Sequence, residues 1–365
     1  MSLYFSILCT TILSAFLATV HSTPHNVSAT SCTITKYNAD NILNAQKECS
    51  EIILKGLSVA AGKTLDLTHL QQGAKVTFEG TTTWEYKEWT GPLIKVSGTD
   101  VEITGSSDHV LDGRGSLWWD GLGGNGGKKK PKFITPVKMY NSKITNLNIK
   151  NSPVHVFSIK QCDGLTLDNV NIDDRDGDTQ GGHNTDGFDI ASSNNVVIKR
   201  SSVYSQDDCL AVKSGSNYEF TDNYCGGGHG ISIGSVGDTT VESVYVSNCR
   251  VEDSANGVRI KTVYGAVGSV KKITFEAVTL KDITNYGIII EGDYLNGGPT
   301  GTPTDGVPIT DLTLKDISGT VLSSGTNVYV LVEAASDWHC SGIDVRGGEN
   351  VKECQGIPSG SGLSC

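Results

Sequence analysis

The chain has 365 residues, of which 37% are apolar and 19% are charged, and its formal net charge is −11. This apolar content excludes a disordered chain, and the acidic total argues against a general nucleic-acid-binding protein, which needs clustered Lys and Arg. The 43 glycines, with only 9 prolines and no G-X-Y period, exclude collagen and indicate many short strands joined by tight turns.

The first predicted segment is a secretory signal peptide over residues 1–22. Residues 6–20 are apolar or small, are too short to span a bilayer, and precede polar sequence. Val20 and Ser22 suit the −3 and −1 positions of a cleavage site, although no Lys or Arg precedes the apolar run. The alternative interpretation is that residues 6–20 form a buried strand. We expect the mature protein, residues 23–365, to be secreted and to have no membrane anchor.

Two further features precede the main body of the chain. Asn26-Val27-Ser28 is the single N-x-S/T sequon and predicts glycosylation of Asn26. Residues 40–54 have helical periodicity, with Asp40 as a suitable N-cap. We expect this short helix to cap the first coil of the fold and to hide its open edge.

A five-residue pattern then recurs six times. Each copy begins with a polar residue and carries two apolar residues, at its third and fifth positions, whose side chains are expected to point inward. The copies start at intervals of 31, 22, 21, 27 and 30 residues. They are His155–Ile159, Asp186–Ile190, Asp208–Val212, His229–Ile233, Asn256–Ile260 and Tyr286–Ile290.

Short alternating runs lie between these copies, and they predict a second set of strands. These runs cover residues 147–149, 165–172, 196–203, 244–251, 273–280 and 312–317. Stacked coils that each contain several short strands are typical of a right-handed parallel β-helix. A β-sandwich would have turns at intervals of about 8–12 residues and a propeller a repeat of about 40, and neither fits. We therefore expect a single all-β domain over residues 23–365.

Neighbouring coils of a β-helix lie about 4.8 Å apart, so equivalent residues form columns on its surface. The first residues of successive copies bring Asp186 next to Asp208, and Asp207 adjoins them. Arg259 and Lys261 both point outward from one strand nearby. Clustered carboxylates repel each other, so at least one should have a raised pKa. A carboxyl that keeps its proton beside ionised ones is what glycoside hydrolysis requires.

Four short motifs in this region resemble, in order and spacing, the signature motifs of the polygalacturonases, glycoside hydrolase family 28. They are Asn184-Thr185-Asp186, Gln206-Asp207-Asp208, Gly228-His229-Gly230 and Arg259-Ile260-Lys261. The similarity extends over nearly all of the mature chain and is greatest with fungal-type endo-acting enzymes. It implies a pectin-lyase-like β-helix, a polygalacturonate or pectin substrate, a secreted monomer, and no metal or other cofactor. It also implies plant polygalacturonase-inhibiting proteins as partners.

The resemblance implies a catalytic role for four residues. Asp207 would protonate the glycosidic oxygen as the general acid. Asp186 and Asp208 would hold and activate the attacking water. His229 would support the protonation state of the acid and contact the sugar. The expected reaction is cleavage of internal α-1,4 bonds between galacturonates with inversion at the anomeric carbon.

The resemblance also implies a set of substrate-binding residues. They are Arg259, Lys261, Tyr294, Asn184 and His155. Gly292, two residues before Tyr294, stands at a position where relatives usually have Gln. Lys128, Lys129, Lys130 and Lys132 form a basic run that either lines one rim of the substrate groove or is a solvated charge run.

The family pattern implies three disulfides among the ten cysteines, a number that fits an oxidising compartment. The implied pairs are Cys32 with Cys49, Cys209 with Cys225, and Cys354 with Cys365. Cys162 and Cys249 are expected to lie about three coils apart, or about 14 Å, which is too far for a disulfide. They and Cys340 should therefore be free.

Several alternative functions remain open at this point. A catalytically inactive pectin-binding homologue would be expected to lack one of the catalytic residues, and all are present here. A pectate lyase would require calcium and a basic group that abstracts a proton. Exo-acting enzymes and rhamnogalacturonan hydrolases of the same family are nearer alternatives, since endo action depends on whether loops close the ends of the cleft.

Overall fold

The computed structural model describes residues 30–351 and 353–365. The predicted signal peptide, residues 1–22, and Asn26 lie outside these residues. Within the part of the chain that is described, no helix is long and apolar enough to cross a membrane.

The described residues form 30 strands and two short α-helices, α1 (Ala39–Glu48) and α2 (Gly177–Gln180). The first ten strands are β1 (Ser31–Ile34), β2 (Glu51–Lys55), β3 (Ser58–Val59), β4 (Leu65–Leu67), β5 (Lys75–Glu79), β6 (Thr81–Trp84), β7 (Ile94–Thr99), β8 (Glu102–Gly105), β9 (Val110–Asp112) and β10 (Ile134–Tyr140). The next ten are β11 (Lys143–Thr145), β12 (Asn148–Lys150), β13 (Phe157–Lys160), β14 (Asp163–Asp168), β15 (Asn171–Asp173), β16 (Phe188–Ala191), β17 (Ser193–Lys199), β18 (Ser202–Tyr204), β19 (Leu210–Val212) and β20 (Gly215–Thr221). The last ten are β21 (Tyr224–Gly226), β22 (Ile231–Val236), β23 (Thr240–Glu252), β24 (Asn256–Val263), β25 (Ser269–Ile283), β26 (Tyr286–Tyr294), β27 (Ile309–Val321), β28 (Thr326–Leu331), β29 (Ala335–Ser341) and β30 (Asp344–Arg346). Short 3-10 turns occupy Gly115–Leu117 and Gly123–Asn125.

Every strand pairs in parallel with its counterpart on the next coil, which confirms the predicted right-handed parallel β-helix. One face of the solenoid, here called the site face, carries the recurring pattern. It consists of β4, β7, β10, β13, β16, β19, β22, β24, β26 and β28. The long strands β23, β25 and β27 run around a corner between the other two faces.

The core consists of apolar columns that run along the inside of the coils. On the site face, Phe157, Phe188, Leu210, Ile231, Val258 and Ile288 are paired in register and fully buried. The rings of Phe157 and Phe188 stack with centroids 5.2 Å apart. Since each coil exposes its apolar edge until a neighbour covers it, this stacking stabilises the whole solenoid and fixes its register. The predicted register of the six copies is confirmed.

The N-terminal helix is shorter than its predicted range of residues 40–54. It covers Ala39–Glu48, and its N-cap is Asn38, which accepts a 2.9 Å hydrogen bond from the backbone N–H of Asn41, so the assignment of Asp40 as N-cap is wrong. The helix ends because Cys49 takes an extended conformation and the alternating sequence after it forms β2. Gln46 anchors the helix to the first coil by donating to the Asp66 carbonyl at 2.8 Å.

Three disulfides join the pairs that the family resemblance implies: Cys32–Cys49, Cys209–Cys225 and Cys354–Cys365. Cys162, Cys249 and Cys340 have no disulfide partner among the described residues. Burial raises the pKa of Cys249 to about 12 and also raises that of Cys162. Both thiols therefore stay protonated and unreactive at neutral pH.

Candidate active site

A cleft of about 520 Å³ lies on the site face, over the middle coils. All nine residues predicted for catalysis and substrate binding line it: Asn184, Asp186, Asp207, Asp208, His229, His155, Arg259, Lys261 and Tyr294. They come together because each precedes, lies on or ends a strand of this face, and the parallel pairing aligns those strands coil by coil. The predicted columns are thus present in the folded chain.

The Asp207 carboxylate is held by three donors. Its Oδ2 accepts from Asn184 Nδ2 at 2.7 Å, and its Oδ1 accepts from the Asp208 backbone N–H at 2.7 Å and lies 2.9 Å from His229 Nδ1. Burial alone would raise the pKa of Asp207, but the His229 contact holds that pKa well below its usual range. Burial likewise opposes the charged form of His229, yet Asp207 raises the pKa of the imidazole. In the free site the one proton of this pair therefore resides on His229, which is an imidazolium beside an ionised Asp207.

Asp186 is in the opposite state. It is buried, its Oδ1 has no hydrogen-bond partner among the described residues, and His155 Nε2 lies 3.7 Å from that oxygen. Burial, and then the neighbouring Asp189, Asp207 and Asp208, raise the pKa of Asp186 well above its ordinary value. The raised pKa predicted for one of the clustered carboxyls therefore belongs to Asp186, while that of Asp207 is lowered.

Asp208 is paired with a buried cation. Lys261 Nζ donates to its Oδ2 at 2.7 Å, and the Ser232 hydroxyl donates to its Oδ1 at 2.6 Å. Burial alone would lower the pKa of Lys261, but the Asp208 carboxylate raises it, so the ammonium keeps its charge inside the site. Both contacts stabilise a carboxylate that faces the cleft.

The two cations of β24 converge on one aromatic ring. Arg259 and Lys261 lie 5.5 and 5.2 Å from the Tyr294 ring centroid, which is within the range of cation–π attraction. Glu291 accepts from both Nε and Nη2 of Arg259, at 2.8 and 2.6 Å, and so fixes the guanidinium. Glu291 was not predicted, although it lies one coil from Lys261 in the β24–β26 register.

A second charged cluster lies at the other side of the cleft. Asp189 is 2.6 Å from His155 Nδ1 and 2.9 Å from Lys213 Nζ. Burial opposes ionisation of Asp189, but these two neighbours hold its pKa well below the usual range. Lys213 lines the cleft and was missed by the sequence analysis. A signal was present, because Lys213 follows the outward residue Ala211 by two positions, as Lys261 follows Arg259.

Two loops meet above the cleft. The Gly124 backbone N–H and the Asn125 side chain donate to Asn184 Oδ1 at 3.0 and 3.1 Å. Asn184 itself has a φ of 51°, a conformation that Asn tolerates better than most residues. Asn296, from the loop that follows β26, donates to Asn125 Oδ1 at 3.0 Å. One side-chain hydrogen bond therefore joins the two rims of the cleft.

The basic run at residues 128–132 does not form a rim of the cleft. Lys130 is buried and pairs with Asp120 at 2.7 Å, so the rim prediction is wrong for this residue. Lys132 is half-buried, with Nζ 3.3 Å from the Ser158 hydroxyl, and burial lowers its pKa. Lys128 donates to a backbone carbonyl at 3.1 Å. None of these lysines is among the described residues that line the cleft.

Two groups of side chains in the cleft have the spacing of a cation site, with potential ligand atoms within 4.8 Å of one another. They are His155, Asp186 and Asp189, and Asp207, Asp208 and His229. In each group a lysine ammonium already contacts a carboxylate, Lys213 in the first and Lys261 in the second.

The model of the glycosyl hydrolases family 28 matches residues 49–365. The chain belongs to this family. A polygalacturonase from Penicillium griseoroseum is 55% identical to this chain, and the match covers 92% of this chain and 90% of the relative. Endopolygalacturonase A from Aspergillus niger is 52% identical, and the match covers 90% of each chain.

A solved structure of the same family has a similar fold. Endopolygalacturonase I from Stereum purpureum, in complex with two galacturonates, superposes with a TM-score of 0.78 at 34% identity. The match covers 87% of this chain and 97% of that one. The likeness therefore extends over most of both chains.

Proposed function

We propose that this protein is an endo-polygalacturonase, which hydrolyses internal α-1,4 bonds between galacturonate units of pectin with inversion at the anomeric carbon. The observation that carries this proposal is the cluster of Asp186, Asp207 and Asp208 beside Arg259 and Lys261 in one cleft. Cations are needed to bind the carboxylates of this substrate, while a proton-donating and an ionised carboxyl are needed to cleave its bond. The names of the relatives given above support the same substrate.

Asp207 is the general acid that protonates the glycosidic oxygen. In the free site its proton is stored on His229, whose Nδ1 lies 2.9 Å from Asp207 Oδ1. When substrate covers the cleft and excludes water, a neutral pair is favoured over two adjacent charges, so the proton moves to Asp207. Asn184 donates to the other carboxylate oxygen and orients the acid.

Asp186 and Asp208 hold the attacking water on the opposite side of the bond. Asp208, to which Lys261 and Ser232 both donate, accepts the proton that the water loses. Asp186, which keeps its own proton in the free site, holds the water by hydrogen bonding. The bond from the anomeric carbon to the leaving oxygen breaks as the water oxygen adds to the opposite face, so the proposed reaction inverts the configuration. Asp207 and Asp208 have oxygens within 4.8 Å of each other, which is closer than the spacing of about 6.5–9.5 Å usual between the carboxyls of an inverting pair.

Arg259, Lys261 and Tyr294 bind the galacturonate at the cleavage point. Glu291 holds Arg259, and Asp208 holds Lys261, so both cations are ordered before substrate arrives and lose little side-chain entropy on binding. The Tyr294 ring offers an apolar surface between the two charges. His155, fixed by Asp189, contacts the sugar chain on the other side of the acid.

The proposed enzyme is secreted, acts as a monomer without metal or other cofactor, and binds plant polygalacturonase-inhibiting proteins. Its extracellular location is supported by the apolar segment at residues 6–20 and by the three disulfides, which persist in oxidising compartments. N-terminal sequencing of the protein from culture medium is expected to begin at residue 23.

Product sizing on unesterified polygalacturonate tests the proposed activity. We expect the mean chain length to fall steeply early in the reaction, as internal cleavage requires. Asp207→Asn should reduce kcat by orders of magnitude while substrate binding is retained, and Asp189→Asn should be impaired less than Asp186→Asn or Asp208→Asn. Monomer as the sole early product would instead show exo action, and an unsaturated, ultraviolet-absorbing product would show a lyase.

A further inference from the structure

Lys130 does not line the cleft, yet it is the buried centre of a loop that meets the catalytic residues. Its side chain is 2% exposed, and its Nζ donates to Asp120 Oδ1 at 2.7 Å. The same ammonium donates to the carbonyl oxygens of Lys128 and Gly126, at 3.0 and 3.4 Å. A lysine ammonium has three donors, so all of them have acceptors within this one loop.

Asp120 completes the centre from the other end of the loop. Its Oδ1 also accepts from the Leu122 backbone N–H at 3.1 Å, and its Oδ2 accepts from the Lys128 backbone N–H at 2.8 Å. Burial opposes the charged form of Asp120, but Lys130 and these backbone donors lower its pKa to about 2. The carboxylate therefore stays ionised in all but strongly acidic solution.

The chain between Asp120 and the ammonium needs such an anchor. Five of the seven residues 121–127 are glycine, which loses more conformational freedom on folding than any other residue. Leu122 is bonded to the carboxylate and Gly126 to the ammonium, so both ends of the short 3-10 turn between them are held. At Gly127, where φ is 65°, a Cβ would lie 2.1 Å from Asp120 Oδ2, so the loop closes tightly on the ion pair.

The 3-10 turn that the ion pair holds lies against Asn184. The Gly124 backbone N–H and the Asn125 side chain donate to Asn184 Oδ1 at 3.0 and 3.1 Å. At Gly123, where φ is 55°, a Cβ would lie 2.3 Å from the same oxygen. The turn can therefore approach the Asn184 amide closely enough to present two donors to it.

These two donors decide which way the Asn184 amide faces. An amide group has an acceptor oxygen at one end and two N–H donors at the other, and the two ends are similar in size. Because the turn holds Oδ1, Nδ2 faces Asp207 and donates to its Oδ2 at 2.7 Å. Rotation of the amide by half a turn would bring two acceptor oxygens together and remove this hydrogen bond. The orientation of the Asp207 carboxyl therefore depends on the turn.

We propose that Lys130, paired with Asp120, is a positioning residue for the general acid: the pair fixes the glycine-rich turn, and the turn fixes the amide that orients Asp207. Lys130 itself touches neither the substrate nor the reacting atoms. This role rests on the proposed polygalacturonase function, and it gives a lysine of the basic run a part in turnover instead of substrate binding.

A double-mutant cycle between Lys130 and Asn184 tests this role, with initial rates on unesterified polygalacturonate as the measurement. Lys130→Met should lower kcat about tenfold in the otherwise wild-type protein, which corresponds to the net contribution of about one hydrogen bond. In the Asn184→Ala background the same substitution should change kcat by less than about twofold, because the amide through which Lys130 acts is absent. Lys129→Met is the matched control, since Lys129 is exposed, and its kcat should equal that of the wild type.

Asp120→Asn provides the same test if Lys130→Met does not fold. It keeps the shape of the side chain but weakens the ion pair, and kcat should fall several-fold in the wild-type background and not in the Asn184→Ala background. Equal losses of kcat in both backgrounds would show that the loop acts only through general stability and would overturn the proposal. Wild-type kcat in both Lys130→Met and Asp120→Asn would overturn it as well.

Hydrogen exchange followed by mass spectrometry tests the anchoring without substrate. In Lys130→Met the backbone amides of residues 121–128 should exchange at least about tenfold faster than in the wild type, and in Lys129→Met they should not. Exchange at the wild-type rate in Lys130→Met would contradict the anchoring of the turn. Wild-type protein that fails to cleave polygalacturonate would contradict the proposed function itself, and the exchange rates would still decide whether Lys130 anchors the turn.

Discussion

Replacing Lys261 with methionine removes a charge that has both a structural and a substrate-binding role. The Lys261 side chain is 8% exposed, and its Nζ lies 2.7 Å from Asp208 Oδ2, on a side chain that is 3% exposed. Methionine retains the aliphatic length but leaves the Asp208 carboxylate with the Ser232 hydroxyl as its side-chain donor. Lys261→Met should therefore lower stability, substrate affinity and turnover together.

The magnitudes follow from burial. Removing one partner of a buried ion pair costs about 3–5 kcal/mol, and we expect the free energy of unfolding to fall by that amount. A hydrogen bond from a charged donor to a substrate carboxylate contributes about 1.5–3 kcal/mol, which corresponds to a rise in KM of about 10- to 150-fold. Turnover should fall as well, because the unpaired Asp208 is the proposed proton acceptor.

Urea unfolding monitored by tryptophan fluorescence measures the first effect, and initial rates on polygalacturonate measure the others. Lys271→Met is the matched control, since Lys271 forms an exposed pair with Glu242 at 3.3 Å and should change little. Adding Asp208→Asn to Lys261→Met should recover part of the lost stability without activity. Wild-type stability and KM in Lys261→Met would refute the assigned pairing and the place of the substrate.

Three further predictions concern other parts of the molecule. Burial raises the pKa of Asp174 to about 8 from its ordinary 3.8, so the folded chain holds a proton that the unfolded chain releases, and stability falls as pH rises from about 4 to about 8. Asp174→Asn should remove this loss and stabilise the protein by about 2–4 kcal/mol at pH 7 but little at pH 4. Urea unfolding at both pH values measures the difference. His229→Gln removes the group that stores the proton of Asp207. The value of kcat should therefore fall, and the alkaline limb of the pH–rate profile should move to lower pH. An alkaline limb at the wild-type pH would argue against proton storage on His229. Asn296→Ala breaks the hydrogen bond to Asn125 that joins the two rims of the cleft. Early products from polygalacturonate should then become longer, because the substrate chain is released sooner. An unchanged product distribution would show that this hydrogen bond does not retain substrate.

The columns of the site face could be predicted because two simple rules determine them. Side chains alternate across a strand, and parallel coils stack in register, so the copies that begin at Asp186 and Asp208 had to present their carboxylates side by side. The motifs of the family added roles to residues that the repeat had already aligned. Lys213 was not predicted because no motif of the family resemblance includes it, although its strand position is equivalent to that of Lys261.

Other features depend on contacts that alternation cannot reveal. Which clustered carboxyl keeps a proton is decided by its donors: Asp207 has Asn184 and His229, whereas Asp186 has an orphaned oxygen. The burial of Lys130 follows from its pairing with Asp120, ten residues away in a loop of irregular course. The early end of the helix was missed because apolar residues of β2 continue its periodicity past Cys49.

Proton NMR of the first product formed from polygalacturonate most directly tests whether Asp207 and the pair Asp186 and Asp208 act from opposite sides of the bond. In early turnover, before mutarotation, the new reducing end should be the β-anomer. The Asp207→Asn variant should release no detectable product over the same interval. An α-anomer appearing first, or near-normal turnover by Asp207→Asn, would contradict the proposed roles of these carboxylates.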